Sequence, residues 1–72
     1  MAESVYKLIE LVGTSTESWE KAAKAAVERA AQSLDDLRIA EVVKLDLQIE
    51  DGAVVAYRAR VQISFKYRDN DD

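Results

Sequence analysis

The feature that most constrains this chain is a long predicted β-hairpin that one short helix cannot cover. Apolar and polar residues alternate from Ile39 to Tyr67 around a single turn at Glu50-Asp51-Gly52, as paired strands do. The only helical pattern runs from about Ser15 to Leu34 and spans roughly 30 Å. A strand from Val54 to Tyr67 spans roughly 46 Å. About a third of the hairpin's apolar stripe must therefore be covered from outside its own subunit.

Size and composition lead to the same expectation. A folded monomer of 8.1 kDa exposes roughly 4,500 Å² and buries only about 60% of its unfolded surface. Chains this small usually add disulfides, metals or association to a thin core. The sequence has no cysteine and no histidine, which excludes disulfides, thiolate or imidazole metal sites and triads that need these residues. Association with other subunits is therefore the expected supplement to the core.

Charge and hydropathy argue against several further classes of function. The net charge of −4 argues against nucleic-acid binding, which needs a basic face. No apolar run approaches the roughly 20 residues of a membrane span, and the first residues lack the pattern of a signal peptide, so we expect a cytoplasmic protein. We find no nucleophile–base pair or cofactor motif and expect that the protein is not an enzyme.

The predicted elements are three strands and one helix. Val5–Val12 is a strand ended by Gly13, and the helix follows, capped either by a Thr14/Glu17 capping box or by Ser15. The order β-α-β-β makes an all-antiparallel sheet only if strand three is central. We therefore predict an α+β fold, with sheet order 1-3-2 and the helix on one face. The chain is predicted to be one domain, residues 1–72, with a disordered acidic tail at Asn70–Asp72.

The helix carries an apolar stripe at helical spacing. Most of the stripe is alanine, so the helix can lie close to the sheet but buries little area per residue. Trp19 is interpreted as a core anchor at the helix start, the alternative being a ring that stacks on a ligand. The stripe consists of Trp19, Ala22, Ala23, Ala26, Val27, Ala30, Ala31 and Leu34.

The hairpin register follows from its alternation. Opposed residues lie on one face of a sheet, so odd-numbered apolar residues must pair with odd-numbered ones. A two-residue Asp51-Gly52 turn mixes the faces, so we predict a three-residue loop, Glu50–Gly52, with glycine in the left-handed conformation. Val42, Val54 and Ala56 then lie on the second face, which suits a contact surface. The predicted pairs are Ile49–Ala53, Leu47–Val55, Leu45–Tyr57, Lys44–Arg58 and Val42–Arg60.

Three cations on the second face are candidate binding residues. Like charges directly across a strand pair are unfavourable, and Asp46, diagonal to Arg58, relieves only part of this repulsion. Lys44, Arg58 and Arg60 could therefore meet an anion, either a ligand phosphate or a neighbouring subunit's carboxylate such as Glu10. The alternative is a solvated or salt-bridged face.

Glu41 is a further candidate, because it is a carboxylate among apolar neighbours on the stripe. It could pair with Arg38 or mark a pocket at the sheet edge. Alternatively, the end of the strand simply emerges into water.

The chain resembles the dodecins along nearly its whole length. The residues that carry the resemblance, besides the alanine-rich helix, are Ile9–Ser15, Ser18–Glu20, Ala40–Val42 and Tyr57–Phe65. Dodecins are small β-α-β-β proteins that form hollow twelve-subunit shells. Many stack pairs of flavins between tryptophans at two-fold interfaces and store them rather than catalyse. The resemblance implies a hollow homododecamer of 23 symmetry that binds a small ligand.

The resemblance also implies a ligand site with two departures from the family pattern. The stacking tryptophan of flavin-binding members lies two residues before the strand-two glutamate, where this chain has Ile39, and their flavin-binding glutamine falls at Arg58. Isoleucine offers no π-face, and arginine has no acceptor. Affinity for FMN or riboflavin is therefore expected to be weakened or lost. The candidate cofactor-binding residues are Ile39, Glu41, Lys44, Arg58 and Arg60.

A second ligand class follows from the same resemblance. Ser18–Glu20 and Asp36–Ala40 look closer to the dodecin branch described as binding calcium, an ion that takes six to eight oxygen ligands. Carboxylates repeated around three-fold axes could build such a site, although an ordinary acidic surface and a structural oligomer without a small ligand remain alternatives. The available carboxylates, which have no EF-hand spacing, are Asp35, Asp36, Asp46, Glu50 and Asp51.

Overall fold

Three antiparallel strands and one helix make up the fold. The computed structural model describes residues 3–66, and its sheet order β1-β3-β2 confirms the predicted topology. Tyr67 and the predicted tail at Asn70–Asp72 lie outside the described residues. The elements in chain order are β1 (Tyr6–Ser15), α1 (Trp19–Ala31), β2 (Leu37–Glu50) and β3 (Ala53–Lys66).

The core is a thin layer between α1 and the central strand. Three alanines of α1 are buried, one per turn, and face the buried residues of β3. Gly13 of β1 allows this close packing: a Cβ there would lie 2.0 Å from the backbone oxygen of Ala22. A side chain at residue 13 would therefore force the helix away from the sheet. The buried apolar residues are Ala22, Ala26, Ala30, Ala59, Val61 and Ile63.

The helix is shorter than predicted, and the predicted caps are wrong. Thr14 and Ser15 still belong to β1, so that strand continues past Gly13 and neither residue can begin the helix. Ser18 is the N-cap instead, and its side-chain oxygen accepts a hydrogen bond from the backbone N–H of Lys21 at 3.0 Å. The Ser15 hydroxyl oxygen accepts one from the backbone N–H of Glu17 at 2.9 Å, which shapes the connecting turn.

The hairpin turn also differs from the prediction. Glu50 pairs with Ala53, so the loop is the two-residue Asp51-Gly52 turn. Both turn residues have positive φ, 52° and 77°, as a type I′ turn requires. With a regular ladder, a two-residue turn would pair residues that point to opposite faces of the sheet. A β-bulge next to the turn prevents this: Ile49 pairs with Val54 and Gln48 with Ala56, so Val55 is an extra residue on β3.

A second irregularity changes the pairs in the middle of β2. Val42 pairs with Val61 and Lys44 with Arg60, so Val43 is extra. Val42 therefore lies on the helix side of the sheet, not on the predicted second face. Glu41 pairs with Gln62 on the face away from α1, not on the apolar stripe. The predicted pairs Lys44–Arg58 and Val42–Arg60 are wrong, as are the three predicted pairs nearer the turn.

The predicted shortage of cover is confirmed. The 13 residues of α1 span roughly 20 Å, whereas β2 and β3 each have 14 residues. The helix lies over β1 and β3 and barely reaches β2, whose residues are exposed apart from Leu37 and Asp46. The molecule measures 53 × 20 × 15 Å and exposes 5580 Å², against roughly 4,500 Å² for a compact monomer of this mass.

Gly13→Ala should lower the free energy of unfolding by roughly 3 kcal/mol, the upper end for overpacking, because the new methyl group meets backbone rather than a movable side chain. Gly52→Ala is the control: its Cβ meets nothing within 4 Å, so only the positive φ costs about 1 kcal/mol. Urea denaturation at one fixed protein concentration measures both. Equal losses for the two variants would contradict the close packing at Gly13.

Candidate functional site on the outer face of the sheet

The face of the sheet away from α1, called here the outer face, is ordered into cross-strand rows. The acidic row contains Glu10, Gln62 and Glu41, and the basic row beside it contains Val12, Arg60 and Lys44. A third row contains Thr14, Arg58 and Asp46, and a fourth, beyond the acidic row, contains Leu8, Ser64 and Ile39. Residues in one row share a face because opposed residues of paired strands do so.

All five candidate binding residues lie on the outer face. Arg60 and Lys44 stand opposite each other in the basic row, and Arg58 lies in the next row along β3. Glu41 lies on the other side of the basic row, in the acidic row, and Ile39 one row further. Ile39 is one of the most exposed apolar residues, with 69% of its surface accessible. The structure thus brings the five onto one surface, and their role in binding stays a prediction.

Asp46 of β2 and Arg58 of β3 form a bidentate ion pair. Arg58 Nε donates to Asp46 Oδ1 at 2.7 Å, and Nη2 donates to Oδ2 at 3.0 Å. These hydrogen bonds, together with the positive charges of Arg58, Arg60 and Lys44, lower the pKa of the Asp46 carboxyl against a smaller opposing effect of desolvation. The sequence placed Asp46 only diagonal to Arg58, because the irregularity at Val55 that aligns them leaves no plain signal in the residue pattern.

The remaining charges of the two central rows have no such partner in residues 3–66. Lys44 and Arg60 face each other, and no ion pair within the described part of the chain neutralises either. Glu10 and Glu41 likewise form no ion pair there. Opposed like charges are unfavourable in a sheet, so this surface favours a ligand or partner that brings compensating charge.

Trp19 belongs to the helix side, where it anchors the start of α1. Its indole N–H donates to the backbone oxygen of Asp46 at 3.1 Å, and its ring meets that of Tyr57 edge-on at 5.2 Å between centroids. Beside it opens an apolar groove of about 510 Å³, between the helix and the uncovered β2. The groove is lined by Trp19, Glu20, Ala23, Val42 and Leu45.

The described part of one copy does not hold the ligand set of a metal ion. In residues 3–66 no three His, Cys, Asp or Glu side chains come together as a metal-binding group. Calcium requires six to eight oxygen ligands, so these residues of one copy supply no complete calcium site. The same part of the chain has no helix with the length and apolar content to cross a bilayer.

Two described residues bear on the stacking of a flavin. Ile39 presents an aliphatic surface where stacking requires a π-face. The guanidinium of Arg58 is engaged by both Asp46 carboxylate oxygens and offers no acceptor for the ring imide.

Comparison with known proteins agrees with this fold. The dodecin family model matches residues 5–68. Calcium dodecin of Mycobacterium tuberculosis is 46% identical over 65 residues, which cover 90% of this chain and 92% of that protein. Its crystal structure has a TM-score of 0.81 and covers 93% of this chain and 96% of its own. The structure of dodecin from Streptomyces coelicolor has a TM-score of 0.88 at 34% identity, covering 97% of this chain and all of its own.

The chain therefore belongs to the dodecin family. Among its relatives, the Mycobacterium tuberculosis protein is described as a calcium-chelating antigen with a novel calcium-binding site.

The Asp46–Arg58 ion pair makes the stability of the protein depend on pH. Because the pKa of Asp46 is lowered in the folded protein, its stabilisation is complete above the unfolded value of about 3.9 and is lost as the pH falls through the folded value. The difference in urea midpoint between wild type and Asp46→Asn should therefore be constant near neutral pH and vanish in strong acid. Arg58→Gln, which removes the largest cause of the shift, should reduce this pH dependence. A difference that is the same at every pH would contradict the prediction.

Proposed function

We propose that this chain forms a closed homododecamer of 23 symmetry, located in the cytoplasm, that binds a small ligand rather than catalysing a reaction. The observation that carries the proposal is the uncovered apolar surface: twelve large apolar side chains in residues 3–66 keep at least 38% of their surface exposed. Patches of this kind mark interaction sites on small proteins. Family membership supports a shell as the means of covering them.

The ligand site of the proposed shell is the outer face. This face combines the exposed Ile39 with the cations Lys44, Arg58 and Arg60, a mixture of apolar area and fixed charge that suits a flat anionic molecule. An open sheet face buries one side of such a molecule at most. A second copy must therefore close the site, which ties ligand binding to assembly.

Flavin affinity is weak in this proposal. Ile39 removes the stacking partner that the family resemblance requires, and Asp46 occupies the donors of Arg58. The ligand of the wild-type protein is accordingly held by apolar contact and charge rather than by ring stacking.

Ile39→Trp should restore part of the flavin affinity, by about tenfold, the upper range for an added aromatic contact. Leu8→Trp is the matched control, because Leu8 lies in the same row of the outer face but on β1 rather than β2. Quenching of FMN or riboflavin fluorescence measures binding. Equal gains for the two variants, or tight flavin binding by the wild type, would contradict the proposal.

Calcium storage is the second candidate function. The observation that favours it is the 46% identity to calcium dodecin of Mycobacterium tuberculosis over 90% of this chain. Residues 3–66 of a single copy gather no group of three acidic side chains, so in this proposal the ion is held by carboxylates of several copies.

Titration calorimetry of the assembled protein with calcium, and with magnesium as the control, tests this candidate. The expected result is binding of less than one calcium ion per chain, because each ion is shared between copies. One ion per chain would contradict an ion held on a symmetry axis between copies, and no heat with calcium would remove the candidate.

A further inference from the structure

We propose that Trp19 is a positioning residue for the outer face: from the helix side of the sheet it holds Asp46 against Arg58 and thereby limits the access of anions to Arg58. The inference rests on the proposed ligand site and deepens it, since it names what regulates one of the cations of that site. Trp19 carries no charge and lies on the other side of the sheet, so its effect on the ligand must pass through the strands.

The first argument is that one side chain contacts both strands behind the ion pair. The indole N–H of Trp19 donates to the backbone oxygen of Asp46, on β2, at 3.1 Å. The ring of Trp19 meets the ring of Tyr57, which precedes Arg58 on β3, edge-on at 5.2 Å between centroids. Trp19 therefore fixes the two strands relative to each other at the level where Asp46 and Arg58 pair.

The second argument is that β2 has few other restraints there. The helix barely reaches β2. Asp46 lies at the centre of the stretch Lys44–Gln48, which pairs regularly with β3 between two irregularities. Irregularities disrupt the ladder of hydrogen bonds and bend the strand. The hydrogen bond from Trp19 therefore acts on the residue whose position decides whether the ion pair forms.

The third argument is that Asp46 competes with a ligand for the same donors. The Nε and Nη2 atoms of Arg58 both donate to the Asp46 carboxylate, in the bidentate geometry that guanidinium offers to any carboxylate or similar anion. The side chains of Arg58 and Asp46 are 41% and 42% exposed, so an anion from solvent can reach them. A loosely held Asp46 would yield these donors more readily.

An anion probe and a double-mutant cycle test the coupling. Trp19→Phe keeps an aromatic ring and removes the N–H donor. This variant should bind naphthalenesulfonate, a flat anion, more tightly than wild type, by up to about tenfold, the ceiling set by one hydrogen bond. The gain should be absent when Trp19→Phe is made in an Arg58→Gln background, because the coupling passes through Arg58. Titration calorimetry measures binding, and the neutral naphthalenesulfonamide shows which part of it depends on charge.

Two further variants calibrate the effect. Asp46→Asn removes the competing charge and gives the upper limit of the gain. Ser18→Ala is the matched control, because it removes the N-cap of the same helix and weakens the helix start without changing the indole. Ser18→Ala should bind naphthalenesulfonate like wild type. Circular dichroism checks that every variant is folded.

The pKa of the Asp46 carboxyl gives a readout that does not depend on ligand. The hydrogen bonds from Arg58 are the main cause that lowers this pKa. Loosening the pair in Trp19→Phe should therefore raise the pKa of Asp46 toward its usual value, whereas Ser18→Ala should leave it unchanged. Nuclear magnetic resonance of the carboxyl carbon measures the pKa.

The outcomes separate this inference from the proposed ligand site. Trp19→Phe without a gain in affinity for naphthalenesulfonate contradicts the inference, and so does a gain that persists with Arg58→Gln or that Ser18→Ala reproduces. No binding of the probe by wild type or by any variant contradicts the proposed ligand site. The positioning role of Trp19 is then decided by the pKa of Asp46, and an unchanged pKa in Trp19→Phe contradicts it.

Discussion

The close packing of α1 against β1 and β3 is the interaction on which the rest of the structure depends. Gly13 and the alanines of α1 bring helix and sheet together so closely that a single Cβ would collide with the helix backbone. Because of this packing, the only helix in the described residues covers two of the three strands, β1 and β3. β2 is therefore left largely without cover on its helix side, where Val42, Leu45 and Leu47 stay exposed. The exposed apolar surface is a direct consequence of where the core forms.

The outer face shows how a small sheet can arrange charge with few residues. The two-residue turn and the irregularity at Val55 place Asp46 directly opposite Arg58 and Lys44 opposite Arg60. The Asp46–Arg58 pair is internally neutral, whereas the opposed Lys44 and Arg60 carry two positive charges. In the function proposed above for this member of the dodecin family, the same surface binds the ligand and contacts a second copy.

Much of the fold could be predicted from the sequence, and the errors within the hairpin have one physical cause. The strand order follows from the order of the elements, and the burial of Ala22, Ala26 and Ala30 follows from the helical period. The hairpin register does not, because an extra residue such as Val43 changes the parity of every pair beyond it without breaking the apolar pattern. The sequence therefore correctly placed Lys44, Arg58 and Arg60 on one face, but it assigned Glu41 to the other face and Ile39 to neither, and the predicted cross-strand partners were wrong.

The central claim is that one copy of this chain cannot cover its own apolar surface and requires others to do so. Sedimentation equilibrium of the wild-type protein at micromolar concentration tests the claim most directly. The account predicts a folded assembly whose mass is a multiple of 8.1 kDa, with no detectable free chain. A folded species of 8.1 kDa that stays monomeric under those conditions would contradict it.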